Sequence, residues 1–334
     1  MGVLSKFCAR MTGLLAASLF ATSLAAADSN WEQVVKDAKA EGSVTYYVAS
    51  SPDAAARVSE AFKQKYGITV DIVRVASGPL GQRFAAEAEA GSVVADVIVI
   101  AQPAFLDLAS SKGWIATVEG LPSLKNWPAA NFDGKFALIG VNAVTVAWNG
   151  DLVSDADAPK SWEDLLDPKW KDKILFTDVR TVPAYMGWAK LIMDTYGAEF
   201  LQKLQAQNLH LVPSVQPGAQ QLAAGEGALL FPANRQAIVP LQAAGAKLKD
   251  VVLSPATGSE LKGGVAAAAP HPNAARLFLD FLMSPQGQSL FNDGGGASVL
   301  SNIPDAMELP KDYHSSNIPT GEAADAVAKA LGLN

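Results

Sequence analysis

Polar residues follow two apolar stretches of this sequence, at points where a predicted strand gives way to a predicted helix. Ser50 and Ser51 come after "VTYYVA", and Ser77 and Gly78 come after "ITVDIVRVA". Unpaired amides at a helix start attract anions, and glycine lets backbone approach a ligand closely. We therefore predict that all four contact a ligand that is anionic or a strong hydrogen-bond acceptor. The structural alternatives are a helix N-cap for Ser50 and Ser51, and an ordinary turn for Ser77 and Gly78.

A second set of candidates lies in the middle of the chain. Arg180 and Thr181 follow the strand-like "KILF", and Ser214 opens another probable helix. The planar guanidinium of an arginine fits a carboxylate, phosphate or phosphonate with two parallel hydrogen bonds. We predict ligand contact here too. Arg180 has an alternative as a surface residue paired with Asp178.

The sequence offers no pattern typical of catalysis or metal binding. His210, His271 and His314 are scattered and lack metal-ligand spacing. No Ser–His–Asp or Cys–His arrangement can be picked out, and Gly294–Gly296 lacks the phosphate-loop pattern. We therefore expect no cofactor, no metal site and no enzymatic activity.

Three strand-then-helix units position the first candidates. "SVTYYVAS", "ITVDIVRVAS" and "ADVIVIAQ" are each followed by a helical stretch. In the first helix Ala55, Val58, Phe62 and Tyr66 recur at three- and four-residue steps, which indicates one buried face. Alternating strands and helices predict a mainly parallel sheet covered on both faces. Ligands of such sheets bind at the carboxyl ends of the strands.

A second α/β unit is inserted into the first, and the chain then returns. "SWEDLLDPKWKDKILF" includes Ser161 and Asp164, which predict a capping box. We predict two lobes, each a mixed sheet flanked by helices, with a ligand cleft and a hinge between them. The predicted bounds are 28–148 with 250–298 for lobe 1, and 149–249 with 299–334 for lobe 2.

Three stretches carry a resemblance to a known family. They are "PKSWEDLLDPKWKDKILFTD", "AAGEGALLF" and "HPNAARLFLDFLMSPQGQSLF", in that order. The chain resembles the periplasmic ferric-iron-type solute-binding proteins of ABC importers, which have the type II periplasmic binding protein fold. The resemblance implies that the chain captures a small-molecule solute and delivers it to a membrane permease.

The resemblance also locates further candidates. Gln102 matches a glutamine that helps to hold an anion in the ferric binders, while Asn234 and Arg235 occupy the positions of two adjacent tyrosine ligands. Ser50 and Ala101 occupy the other two metal-ligand positions. Ferric ion requires anionic oxygens, which these residues do not supply, and arginine repels a cation. Asn234 and Arg235 have an alternative as a surface pair beside the hinge.

The leading hypothesis is therefore a binder of a small polar, anionic solute of the phosphonate, sugar phosphate or carboxylate type. A ferric-ion binder with an atypical, anion-assisted site remains one alternative. A periplasmic enzyme on the same scaffold is another, although no nucleophile with an adjacent base is evident.

The start of the chain resembles an export signal. Lys6 and Arg10 precede an uncharged apolar run, which ends with the small residues Ala25 and Ala27. We predict a signal peptide at residues 1–27 and a periplasmic mature protein, with an uncleaved anchor as the alternative. The formal charge of −7 and the lack of a basic run argue against nucleic acid as a partner. We expect a monomer.

Overall fold

The computed structural model describes residues 30–333, which form two lobes around two β-sheets. The first lobe opens with a helix, α1, that includes residues 30–41. Strands and helices then alternate, in agreement with the predicted units. They are β1 Ser43–Val48, α2 Pro52–Tyr66, β2 Thr69–Arg74, α3 Ser77–Glu89, β3 Val97–Ile100, α4 Pro103–Ser111 and β4 Phe136–Ala143. Short 3-10 helices lie at Pro122–Lys125 and Ala129–Asn131.

The second lobe is built on strands from the middle of the chain. Its elements are β5 Thr145–Asn149, β6 Ile174–Thr177, α5 Pro183–Tyr196, α6 Ala198–Gln205, β7 His210–Val212, α7 Val215–Ala223, β8 Leu229–Ala233, α8 Arg235–Ala243 and β9 Leu248–Val251. Two short 3-10 helices, Glu163–Leu166 and Pro168–Trp170, connect β5 to β6. The strand order is β7-β6-β8-β5-β9.

The chain then returns to the first sheet. The returning elements are β10 Gly258–Val265, α9 Pro272–Met283, α10 Pro285–Asn292, β11 Ala297–Ser298 and β12 Met307–Glu308, and α11 Glu322–Ala330 follows them. The first sheet has the order β12-β11-β4-β10-β3-β1-β2. β1, β2 and β3 run parallel, while β10 is antiparallel to both β3 and β4. The predicted fold, two mixed sheets flanked by helices, is confirmed.

Both faces of the first sheet are covered by apolar side chains. Tyr46 and Tyr47 are adjacent in β1 and therefore point to opposite faces, yet both are fully buried. Tyr46 packs edge-on against Phe278 of α9, with 4.8 Å between ring centroids. Tyr47 joins a separate cluster with Phe84 and Phe105. This two-sided burial accounts for the apolar character of the central strands β1 and β3.

An aromatic cluster forms the core of the second lobe. Trp188 of α5 is fully buried and packs against Trp162 and Phe231, at centroid distances of 5.3 and 5.9 Å. The predicted capping box is present at the start of the 3-10 helix Glu163–Leu166. The amide of Asp164 donates to Ser161 Oγ, and the amide of Ser161 donates to Asp164 Oδ2.

Between residues 30 and 333 the chain passes from one lobe to the other three times. The first passage is at Val144, whose amide donates to Thr257 O in the second passage, residues 252–257. The third passage follows β12, because side chains of α11 and the turn after it join the core of the second lobe. The first and second passages, which are paired by this hydrogen bond, are the structural counterpart of the predicted hinge.

The sheets change at positions that differ from the predicted lobe bounds. The predicted first change came after residue 148, but β5 pairs with β8 and β9 and so belongs to the second sheet. β9 extends to Val251, past the predicted return at 250, and β12 still pairs in the first sheet beyond residue 299. The reason is that β4 and β5 are one nearly continuous apolar run, interrupted only at Val144, so hydrophobicity does not mark the passage.

The predicted signal peptide, residues 1–27, lies outside the described residues. Within residues 30–333, every helix is too short or too polar to span a bilayer.

Candidate ligand-binding cleft

The carboxyl ends of parallel strands from both sheets border the space between the lobes. In the first sheet β2, β1 and β3 are neighbours, and in the second sheet β7, β6 and β8 are neighbours. Each of these strands leads into a helix, so helix amino termini lie along both edges. A cavity of about 230 Å³, called the cleft below, lies between α4 of one lobe and the start of α5 of the other. Its lining also includes residues of β10 and of the third passage.

Ser50 and Ser51 mainly serve the local backbone. Ser51 is the N-cap of α2, and its Oγ accepts a hydrogen bond of 3.2 Å from the Ala54 amide. Ser50 is buried, and its carbonyl accepts a bond of 3.1 Å from Arg74 Nε. The capping alternative therefore describes Ser51, while ligand contact by either serine stays a prediction.

A hydrogen bond joins the segments that follow β2 and β3. Ser77 is the first residue of α3, and its Oγ accepts a hydrogen bond of 3.2 Å from the Ala101 amide after β3. Gly78 has open space where a Cβ would project. Gln102 is the N-cap residue of α4, and its Oε1 is buried beside Gly81 without a hydrogen-bond partner among residues 30–333. Ligand contact by Gln102 stays a prediction.

Arg180 pairs with Asp178, in agreement with the alternative prediction of a surface ion pair. Its Nη2 lies 2.8 Å from Asp178 Oδ2 and its Nε lies 2.9 Å from Oδ1. These hydrogen bonds are the main reason that the pKa of the Asp178 carboxyl lies below its ordinary value, against the opposing effect of burial. Thr181 Oγ1 donates to the Asp178 carbonyl, and Ser214 begins α7 without capping it through its side chain.

Asn234 and Arg235 are adjacent in the sequence, but their side chains have different partners. Asn234 caps α8 through a bond from the Ala237 amide to its Oδ1, and its Nδ2 donates to Tyr185 Oη at 2.9 Å. Arg235 Nε lies 3.5 Å from Asp250 Oδ1 on β9. Burial raises the pKa of the Asp250 carboxyl, and the charge of Arg235 only partly offsets this.

Neither Arg180 nor Arg235 is among the residues that line the cleft. Arg235 lines a different depression, together with Trp148 and Lys249. None of the ten predicted contact residues is among those lining the cleft, although Ala101, Val182 and Pro183 beside them are. The predicted residues lie along the strand ends that border the cleft, and their contact with a solute stays a prediction.

Sequence reasoning missed the charged residues of β10. Glu260 and Lys262 both line the cleft, and Lys262 Nζ lies 3.4 Å from Glu260 Oε2. Tyr313, from the third passage, donates to Glu260 Oε1 at 3.1 Å. Charged residues inside the predicted strand "GSELKGGV" were the available indication, because a buried strand rarely carries a charge without a partner or a role.

Tyr46, Tyr47 and Tyr185 are poorly suited to bind iron as phenolates. Tyr46 and Tyr185 are both buried, and burial raises the pKa of each phenol far above its ordinary value. Burial also raises the pKa of Tyr47 to about 12, and its hydroxyl donates to Glu87. Among residues 30–333, no group of three or more His, Cys, Asp or Glu side chains is placed to hold a metal ion.

A Ser–His–Asp arrangement is present that the sequence did not reveal. His271 Nδ1 lies 2.9 Å from Asp96 Oδ2, and Ser43 Oγ lies 3.3 Å from His271 Nε2. Next to it, the amides of Asn273 and Ala274 at the start of α9 donate to the Glu41 carboxylate. These two amides are therefore not available to stabilise an oxyanion. We call Ser43, Asp96 and His271 the clasp, because they join the start of β1 to the start of α9.

Most of the chain matches a known protein family. The family model of the bacterial extracellular solute-binding proteins matches residues 44–296. The chain belongs to this family. Members of the family bind small-molecule solutes and deliver them to the permeases of ABC importers. The resemblance seen in the sequence, and the transport role that it implied, are confirmed.

Individual members of the family and its fold differ in what they bind. A putative 2-aminoethylphosphonate-binding periplasmic protein of Salmonella typhimurium is 24% identical over 274 residues, which is 76% of this chain and 75% of that protein. Iron-bound HitA from Pseudomonas aeruginosa has a TM-score of 0.64 and 20% identity, over 87% of this chain and 97% of HitA. AfuA from Actinobacillus pleuropneumoniae, with fructose-6-phosphate bound, has a TM-score of 0.60 and 18% identity, over the same shares of the two chains. At these identities the solved structures establish the fold alone.

Proposed function

We propose that this solute-binding protein captures a small anionic solute between its lobes in the periplasm. The solute is of the phosphonate, sugar phosphate or carboxylate type. The lobes close on it by bending at the paired passages near Val144, and the protein, a monomer, then presents it to the permease.

The cleft is the observation that carries this proposal. It lies between the two lobes, where closure would enclose a solute. Its lining includes Lys262 and several serines, together with the carboxylates Asp107, Asp133 and Glu260. Its walls include Pro103 and Pro183, each at the first turn of a helix that begins beside the cleft. Helix amino termini favour anionic groups. The ligands in the names of the phosphonate-binding relative and of AfuA are both phosphorus-containing anions, which supports this solute class.

Binding without turnover is the second part of the proposal. The clasp has the residue types of a hydrolase site, but its carboxylate is fully buried and the neighbouring helix amides are bound by Glu41. This arrangement favours a structural role, and the family is one of transport proteins.

Ferric ion is the weaker alternative. The likeness to HitA keeps it under consideration, but Tyr185 is held by Asn234, and its raised pKa disfavours the phenolate that iron requires. We expect no visible charge-transfer band when ferric citrate is added to the purified protein. A band that is lost in Tyr185→Phe or Tyr46→Phe would favour iron instead.

Native mass spectrometry of freshly purified protein tests the anionic solute directly. We expect a bound species of low mass that contains a phosphonate, phosphate or carboxylate group. A thermal-shift panel of these anions provides a second measurement, because a ligand at 100 times its Kd stabilises the folded state by about 2.7 kcal/mol. Saturable binding of a neutral or purely cationic solute, with no response to any anion, would contradict the proposal.

Small-angle X-ray scattering tests closure separately. The radius of gyration should decrease when the bound solute is present and return when it is removed. An unchanged radius with demonstrated binding would exclude hinge closure while leaving the solute class intact.

A further inference from the structure

The crossing strand β10 brings two opposite charges to the wall of the cleft. Glu260 and Lys262 line the cavity, while Leu261 between them packs in the core of the first lobe. The register of β10 against β4 shifts between Leu261 and Lys262. The local alternation of the strand therefore directs the charged residues toward the solvent-filled space and the apolar one away from it.

The ion pair between them is loose. Lys262 Nζ lies 3.4 Å from Glu260 Oε2, which is longer than a charge-assisted hydrogen bond of about 2.7–2.9 Å. Within the part of the chain that the structure describes, the ammonium of Lys262 makes no hydrogen bond. By contrast, Lys247 Nζ on the surface lies 2.6 Å from Asp151 Oδ1. Lys262 is thus held near Glu260 with its donors still available.

Glu260 is fixed more firmly than Lys262. Its side chain is 12% exposed, and Tyr313 donates a hydrogen bond to its Oε1. The same wall contains Ser316, whose buried Oγ has no hydrogen-bond partner among residues 30–333. Polar atoms that are buried but only partly satisfied are costly unless something completes their hydrogen bonds.

The balance of charge in the cleft is acidic. Its lining contains three carboxylates, Asp107, Asp133 and Glu260, and one basic side chain, Lys262. Asp133 already accepts bonds from the amides of Lys135 and Phe136. A simple anion placed beside Lys262 would be repelled by the remaining carboxylates, whereas a solute that also carries a positive charge would be attracted to both signs.

We propose that Lys262 and Glu260 bind the two ends of one zwitterionic solute: Lys262 the anionic group, and Glu260 the ammonium group. This inference rests on the proposed function and narrows its solute class to amine-bearing anions. On binding, the ammonium of the solute takes the place of Lys262 beside Glu260, and Lys262 turns to the anionic group. Tyr313 acts as a positioning residue, because it holds the carboxylate of Glu260 toward the cleft.

Calorimetry with two isosteric probes tests this assignment. The probes are 2-aminoethylphosphonate and propylphosphonate, which differ in having an ammonium or a methyl group at one end. We expect the wild type to bind the amino compound at least about 10-fold more tightly, the size of one charge-assisted hydrogen bond. Glu260→Gln should remove most of that preference, while Lys262→Met should weaken both probes about 10-fold or more. The matched control Lys247→Met removes a surface ion pair and should bind like the wild type.

The outcomes separate this inference from the proposed function. Equal affinity for the two probes, or a preference that survives in Glu260→Gln, overturns the inference and leaves an anion-binding protein. If the wild type binds neither probe and its native cargo is not anionic, the proposed function fails, and the inference fails with it. A native cargo that is anionic but does not react with an amine-specific reagent overturns the inference alone. Thermal melting of each variant shows whether it is folded before its binding is measured.

Discussion

Two clusters in the first lobe are each built around a carboxylate, but the two carboxylates differ in how many of their hydrogen-bonding positions are occupied. In the clasp, Asp96 is fully buried and accepts hydrogen bonds from the Thr45 amide and from both the amide and the ring of His271. In the cleft, Glu260 accepts one hydrogen bond, from Tyr313, and has Lys262 only at a longer distance.

The difference separates a structural role from a binding role. A carboxylate whose oxygens are occupied by its own chain fixes the position of the elements that it joins. A carboxylate with free lone pairs beside a cavity has capacity for a ligand. The residue types alone suggest the opposite assignment, because Ser, His and Asp are typical of a hydrolase site and an ion pair on a strand is not.

Asp96→Ala should produce the largest effect on stability. It leaves the amides of Thr45 and His271 and the ring of His271 without their acceptor, so we expect the free energy of unfolding to fall by about 3–5 kcal/mol. Urea denaturation measures this. Asp107→Ala, at an exposed site on α4, is the control and should change stability by about 0.5 kcal/mol or less. An effect of Asp96→Ala as small as that of Asp107→Ala would contradict the structural role of the clasp.

Tyr313→Phe should change the response of stability to alkaline pH. Burial, followed by the charge of Glu260, raises the pKa of Tyr313 above its ordinary value of 10.0. The folded state therefore keeps this proton at a pH where the unfolded state loses it, and stability falls as pH rises above about 10. Each such proton contributes about 1.4 kcal/mol per pH unit, and Tyr313→Phe should reduce the decline by that amount.

Urea denaturation at pH 8 and at pH 11 measures this slope. Tyr46→Phe is the matched comparison. Burial alone raises the pKa of Tyr46, whose hydroxyl has no partner among the described residues, so this variant should reduce the decline as well. An unchanged slope in Tyr313→Phe would mean that its hydroxyl is not held in the folded protein at high pH.

Ser43→Ala should have the smallest effect. Its hydroxyl makes one long contact with His271, so we expect a loss of about 1 kcal/mol or less. We also expect neither the wild type nor the variant to hydrolyse p-nitrophenyl acetate or to be labelled by a fluorophosphonate. Labelling of the wild type that is lost in Ser43→Ala would show that the clasp is a catalytic site and would contradict its structural role.

Local sequence patterns predicted the fold well, because the elements that build it are encoded locally. The apolar run of β1 and the helical spacing of Ala55, Val58 and Phe62 depend only on nearby residues. The Ser161–Asp164 capping box spans three residues and was found for the same reason. The passage at Val144 was misplaced because the strands on its two sides are equally apolar.

The cleft was harder to predict because its contacts join distant parts of the chain. Tyr313 meets Glu260 across 53 residues, and nothing in the sequence indicates the path of the third passage. Arg180 was a reasonable candidate by type, but Asp178, two residues away, engages it. Arg235 Nε lies 3.5 Å from Asp250 Oδ1 and makes no hydrogen bond among the described residues, and only the folded second sheet places these two residues side by side. Residue type and strand position located the edge of the cleft but not its charged residues.

The three passages between the lobes also constrain how the chain folds as it is synthesised. The core of the first lobe needs Phe278 and Phe281, and the core of the second needs Val327 and Leu331. A ribosome releases the amino-terminal strands long before these residues, so neither core can be completed early. Such long-range contacts slow folding and leave apolar strands open to association with other chains. The connectivity that forms the hinge therefore creates a period during synthesis when the nascent chain depends on protection from aggregation.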